Sequence, residues 1–199
     1  MRRIICVMLI TALLAAVPAA APAEDTAGIR TEVTVIRAPE QTAPQRPPCF
    51  PDPADQFIPL PETENYALNR PVSAGAHADV YVAGNVNDGK TDTYWESRGV
   101  PAEMVIDLQE TRTVSAVAIC LNPSSIWEPR IQEIAVQVST DGQDYAEASA
   151  AEKYEFNAET GNRIRIDLEP VQAAFVKVIF TLNSSSRSQG AQAAEICVY

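Results

Sequence analysis

The sequence predicts an all-β protein built as an antiparallel β-sandwich, and three observations carry that expectation. Apolar residues recur with period two through six short runs between Met104 and Val198. Turn formers close several of these runs, among them Asn122-Pro123 and Asp141-Gly142. Helical periodicity is scarce along the same stretch. Strands with one apolar face suit two sheets packed face to face.

The chain opens with Met-Arg-Arg, runs apolar from Ile4 to Val17, and reaches Ala21-Pro22-Ala23. A basic start, a short apolar run and a small-x-small site read as a secretory signal peptide over 1–23, cleaved after Ala23. The run is shorter than the roughly 20 residues that span a bilayer. Removing it takes away Arg2 and Arg3 and no acid, so the processed chain is two units more negative than the whole chain's −11. That balance argues against nucleic acid and anionic membrane as partners. No later stretch predicts membrane insertion, and the expected location is secreted, periplasmic or cell-surface.

Residues 24–64 differ in texture. Eight of the 15 prolines fall between Pro39 and Pro61. Such density removes ladder donors and favours extended chain, so the segment reads as a Pro-rich tail or linker. Within it only Thr31–Arg37 alternates like a strand.

From Asn65 onward the strands follow in order. Met104, Ile106 and Leu108 alternate up to Gln109-Glu110, and Val117, Ile119 and Leu121 alternate up to Asn122-Pro123. Ile134, Val136 and Val138 precede the Asp141-Gly142 turn. Ile164, Ile166 and Leu168 alternate with Arg163, Arg165 and Asp167; then come Val176, Val178 and Phe180, and finally Ile196 and Val198. By parity Cys120 and Cys197 point to the face opposite their apolar neighbours. The processed chain keeps Cys49, Cys120 and Cys197, which allow three pairings and leave one thiol over. If the strands of Cys120 and Cys197 lie in different sheets, their thiols diverge, and Cys49–Cys197 is the preferred pair.

One loop stands out: Asn85-Val-Asn-Asp-Gly-Lys-Thr-Asp-Thr-Tyr-Trp-Glu96. It gathers Asn, Asp and Thr oxygens around a glycine turn. Hard cations such as Ca²⁺ take six to eight oxygens, many of them carbonyls of a sharply turned backbone. Asp88 offers a carboxylate, Gly89 a backbone with positive φ, and Thr93 a hydroxyl and a carbonyl. Tyr94 and Trp95 are expected to bury the loop's exit in the core. The spacing of acids is not that of an EF-hand. The competing reading is a plain polar turn.

Six segments occur in a telling order: Asn65-Tyr-Ala-Leu-Asn-Arg-Pro-Val-Ser-Ala74, Asn87-Asp-Gly-Lys-Thr-Asp-Thr-Tyr-Trp95, Val105-Ile-Asp-Leu108, Val138-Ser-Thr-Asp-Gly142, Phe175-Val-Lys-Val178 and Ala194-Glu-Ile196. Residues 65–199 thereby resemble the discoidin family, also called factor V/VIII type C or galactose-binding-like domains. Within it they look most like bacterial family-32-type carbohydrate-binding modules. The resemblance implies an eight-stranded jelly-roll sandwich and one structural Ca²⁺. By position its ligands would be the side chains of Asp88, Thr93 and Glu195 and the carbonyls of Asn85, Lys90, Thr93 and Ala194. It also implies a glycan or polysaccharide partner, bound on loops near the metal. Trp127 would stack on a sugar ring, with Arg130, Glu96, Arg98 and Arg187 as polar contacts and His77 as a more distant candidate. A protein-interaction or adhesion module of the same fold is the alternative.

Catalysis is not expected. With His77 as the single histidine and no Gly-x-Ser-x-Gly elbow, a Ser-His-Asp or Cys-His arrangement lacks its parts.

Overall fold

The computed structural model describes residues 57–199, which fold around one contiguous apolar core. The predicted leader, the Thr31–Arg37 strand, most of the Pro-rich tail and Cys49 with its pairing lie outside the described residues.

Among the described residues eight strands form: β1 Val72–Ala74, β2 Trp95–Glu96, β3 Ala102–Cys120, β4 Arg130–Ser139, β5 Ala146–Phe156, β6 Arg163–Asn183, β7 Gln192–Ala193 and β8 Glu195–Val198. All described pairings are antiparallel. The larger network runs β1-β3-β6-β4-β5, with β8 also on β3; β2 and β7 pair separately.

The apolar alternations of the sequence are real, but their grouping differs. Met104–Leu108 and Val117–Cys120 fall on one bent strand, β3, with Leu121 just past its end, and Ile164–Leu168 and Val176–Phe180 on another, β6. The two strands pair from Ala102↔Phe180 to Cys120↔Arg163. Register slips between Asp107 and Arg112 and again between Val114 and Ala116. Gln109 sits there in the left-handed region at φ 63°. Polar Gln109-Glu110 therefore bends the ribbon without ending it, as bulges do. Both halves send side chains into one core: Met104, Ile106, Val176 and Phe180 from one, Val117, Ile119, Ile164 and Ile166 from the other. These are the two layers of the sandwich.

Strand β5 has no apolar signature because it is an edge strand, largely exposed along Ala146–Glu155. Alternation reports burial of one face, and this strand buries little.

Cys120 and Cys197 do lie on the outer face, yet both are buried. Cys197 packs with Ala116, Ala118 and Tyr199 in a small second cluster that Leu60 covers. The condition for divergent thiols is not met, because β3 and β8 are neighbours in one sheet: Cys197 faces Ala118, and Cys120 faces Glu195. Both thiols are free, and burial pushes them up to about 12 and about 11. Packing also begins before Asn65: the Arg163 guanidinium lies 5.0 Å from the centre of the Phe57 ring.

Candidate functional site

Two sites share the short segment Gln192–Glu195. The first is the Asp-Gly loop. Gly89 turns it at φ 80°, a conformation that costs glycine little. Asp88 Oδ1 accepts the Lys90 amide at 3.0 Å, and Oδ2 accepts the Thr93 hydroxyl at 2.9 Å. Glu195 reaches in from β8, and its Oε1 accepts the amides of Gly89 at 2.7 Å and Lys90 at 2.9 Å. The carboxylates of Asp88 and Glu195 thus meet at one place, about a hundred residues apart in sequence. Glu195 is only 5% exposed. Burial pushes its carboxyl up to about 7; the two amides oppose the rise, and Asp88 adds to it.

The donor set fits a hard cation. One buried and one half-buried carboxylate together carry more negative charge than the loop balances. Outside the regular helix and strand bonds, no described hydrogen bond ends on the carbonyls of Asn85, Lys90, Thr93 or Ala194. The Asn85 side chain donates to the Tyr94 carbonyl at 2.8 Å and closes the loop's two ends. Among the described residues, no three His, Cys, Asp or Glu side chains gather as a metal cluster. Carbonyls and two carboxylates suit Ca²⁺ better than a metal that wants sulfur or imidazole.

The second site is a pocket of about 430 Å³ lined by Tyr81, Tyr94, Glu96, Ile126, Trp127, Arg130, Ser185, Arg187, Ser188 and Gln192. It brings together four residues the sequence singled out: Trp127, Arg130, Glu96 and Arg187. Arg130 is its fixed point, 5% exposed at the start of β4. Its Nε and one terminal nitrogen each donate to the Glu128 carbonyl at 3.1 Å, and the other terminal nitrogen donates to Gln192 Oε1. The guanidinium lies 5.0 Å from the centre of the Trp127 ring. Burial holds it below the usual arginine range. Glu96 faces Gln192 across the β2–β7 pair. Its Oε1 accepts the Ser188 hydroxyl and its Oε2 the Gln192 amide, both at 2.8 Å.

The Ser184–Gly190 loop forms the far wall. Asn183 donates to the Gly190 carbonyl at 2.6 Å, and the Glu128 carboxylate accepts from Ser185 and Ser186. Those donors hold the Glu128 carboxyl below its usual range. Arg187 stands at the rim with a 74% exposed side chain, 3.9 Å from Glu128.

Arg98 is elsewhere. It lines a separate cleft with Gly75 and Glu103, and its Nε donates to the His77 carbonyl at 3.2 Å. Tyr94 also departs from expectation. Trp95 is buried at 1% and packs on Phe180, but Tyr94 turns the other way into the pocket. It stacks on Tyr81 at 4.1 Å and meets the Trp127 ring edge-on at 4.9 Å. Adjacent strand residues face opposite sides, so a buried Trp95 already implies an outward Tyr94. Tyr81 and Gln192 carry no such signal; their place depends on loop paths and on the β2–β7 pairing. Because Arg130 covers one indole face, at most one face of Trp127 is left to stack on a ligand.

Solved structures with this architecture are numerous. The CBM32 of AlyQ, in complex with 4,5-unsaturated mannuronic acid, is 22% identical with a TM-score of 0.53, over 65% of this chain and 93% of that one. The module CpGH89CBM32-5 from Clostridium perfringens, in complex with GalNAc-β-1,3-galactose, is 17% identical with a TM-score of 0.56, over 66% and 95%. A pectin-binding carbohydrate-binding module is 18% identical with a TM-score of 0.56, over 66% and 91%. Comparison with curated proteins gives no match. The model of the F5/8 type C domain matches residues 71–196, most of the chain, and the protein belongs to that family.

Proposed function

We propose that the protein is a non-catalytic carbohydrate-binding module that works outside the cytoplasm and carries a structural Ca²⁺. One observation carries the binding reading: aromatic rings, a buried guanidinium and a fixed carboxylate converge on one rim pocket. Sugars present apolar C–H faces and hydroxyls together, and this lining offers a partner to each. The glycans held by the similar modules support the same class of ligand. Among the described residues Glu96 is the one acid lining the pocket, and both its oxygens are engaged. Glycoside hydrolysis commonly needs two carboxyl groups flanking the scissile bond, so the reading is capture without chemistry.

Ca²⁺ would be held by Asp88, Glu195 Oε2, Thr93 and the carbonyls of Asn85, Lys90 and Ala194. It would balance the adjacent carboxylates and add to the tie that Glu195 makes with the loop. The basic start and short apolar run of 1–23 support export. A glycan array probed with the purified protein tests the function: retention of a defined set of sugars is expected. No retention on any glycan, with capture of a partner protein instead, would turn the reading to an interaction module.

A further inference from the structure

We propose that the pocket selects an acidic glycan, taking the carboxylate of a uronic acid residue on Arg130 and Arg187. The inference rests on the glycan-binding reading and narrows it.

Arg130 is the reason. A guanidinium this deeply buried normally pairs with a carboxylate, because desolvating an unpaired charge is costly. Among the described residues, no carboxylate oxygen lies within 4.0 Å of Arg130; the ion pairs there involve Arg70, Arg112, Arg165 and Arg187. Its hydrogen bonds go to neutral acceptors, the Glu128 carbonyl and the Gln192 amide. Three of its five N–H groups are used, and two remain for a ligand. Glu96 lies nearby, but Gln192 stands between it and Arg130 and takes one of its oxygens.

Arg187 supplies a second cation at the mouth. Its one ion-pair partner among the described residues, Glu128, sits at 3.9 Å and already accepts from Ser185 and Ser186. The lining itself holds two cations against one anion, with the Glu128 carboxylate just behind Arg187, in a chain whose net charge is −11. That overall charge repels a polyanion at long range, so attraction has to come from local contacts. A planar carboxylate is matched by guanidinium N–H pairs, and its sugar ring still has Tyr81 and Trp127 to lie against.

Affinity electrophoresis of the purified protein tests this. The gels contain polygalacturonate, the same polymer with its carboxyls reduced to alcohols, or a sulfated galactan. Retardation by polygalacturonate is expected, weakened at least tenfold by carboxyl reduction. Arg187→Ala should weaken it at least fivefold, and Arg187→Lys should recover part of the loss. Equal retardation by the reduced polymer overturns the carboxylate and leaves the glycan reading standing. Retardation by the sulfated galactan alone has the same consequence. Absence of binding to all three, with none on a wider glycan array, overturns both.

Discussion

The Asp-Gly loop and the rim pocket hang on one stretch of backbone, Gln192–Glu195, and carry opposite charge. At the loop two carboxylates lie together, and among the described residues neither has a salt bridge. At the pocket a buried guanidinium lies among neutral acceptors. The difference between them is in how they close. The loop's carboxylates are already engaged by its own amides and hydroxyl, beside a cavity of about 400 Å³ that Gly89, Thr91 and Glu195 help to line. The pocket is walled by side chains and leaves donors facing a cavity. Net charge, which is −11 for the whole chain, describes neither. On the proposed reading the first takes a resident ion and the second an exchanging ligand.

Four perturbations separate the two, ordered by expected loss of melting temperature. Glu195→Ala comes first. It removes the acceptor of two loop amides and a ligand of the proposed ion from a site 5% exposed. Losing a buried acceptor and a charge partner costs about 3 kcal/mol, or about 10 °C for a domain of this size. Chelation should lower the melting temperature in the same direction, by less, because the amide bonds survive it. An unchanged melting curve in EDTA would remove the ion and leave Glu195 as a purely protein anchor.

Gly190→Ala comes second. A β-carbon there would lie 1.8 Å from the Ser97 carbonyl oxygen, backbone against backbone, so the loop has to move. The residues carried off with it are Ser188 and Arg187. The expected outcome is a drop of about 5 °C by calorimetry, with ligand binding reduced more than in any variant of the Asp-Gly loop. If binding survives intact, the far wall of the pocket does not contact the ligand.

Trp127→Ala comes third. Trp127 is half-buried, packs on the core and lies beneath the Arg130 guanidinium. Truncation should cost about 1–2 kcal/mol, or about 5 °C or less, as well as binding. A melting temperature equal to that of the unaltered protein would mean the ring serves the ligand alone.

How far the sequence reached follows the same physics. Period-two alternation reports strands with one buried face, so β3, β4, β6 and β8 were legible and β5, exposed on both sides for most of its length, was not. Where a strand bends, alternation breaks without pairing being lost, so Gln109-Glu110 resembled an end and was a hinge. Asp88 and Glu195 were legible as a pair through resemblance to a family. Trp127, Arg130, Glu96 and Arg187 were legible through the same resemblance as contacts of one ligand, and they do line one pocket. Gln192, which links Glu96 to Arg130, was not legible, because its role exists only through the register Glu96↔Gln192. Arg98 had the same chemistry as Arg187 and a plausible position in the chain, and the backbone takes it to another cleft.

Arg130→Met has the smallest expected effect on stability and the sharpest on function. Methionine keeps an unbranched apolar stem in a site 5% exposed. It leaves the Gln192 side-chain oxygen and the Glu128 carbonyl without a donor, a loss of about 1–3 kcal/mol for each that stays unsatisfied. It also removes a buried charge that has no carboxylate within 4.0 Å among the described residues, and relief from that desolvation offsets the loss. The melting temperature should therefore stay within about 3 °C while glycan retention falls at least tenfold. A structural arginine behaves the other way: stability drops as far as in Glu195→Ala, and binding follows only as the fold is lost. Measuring both quantities on this one variant decides whether the buried cation faces a ligand or merely braces the strand that carries it.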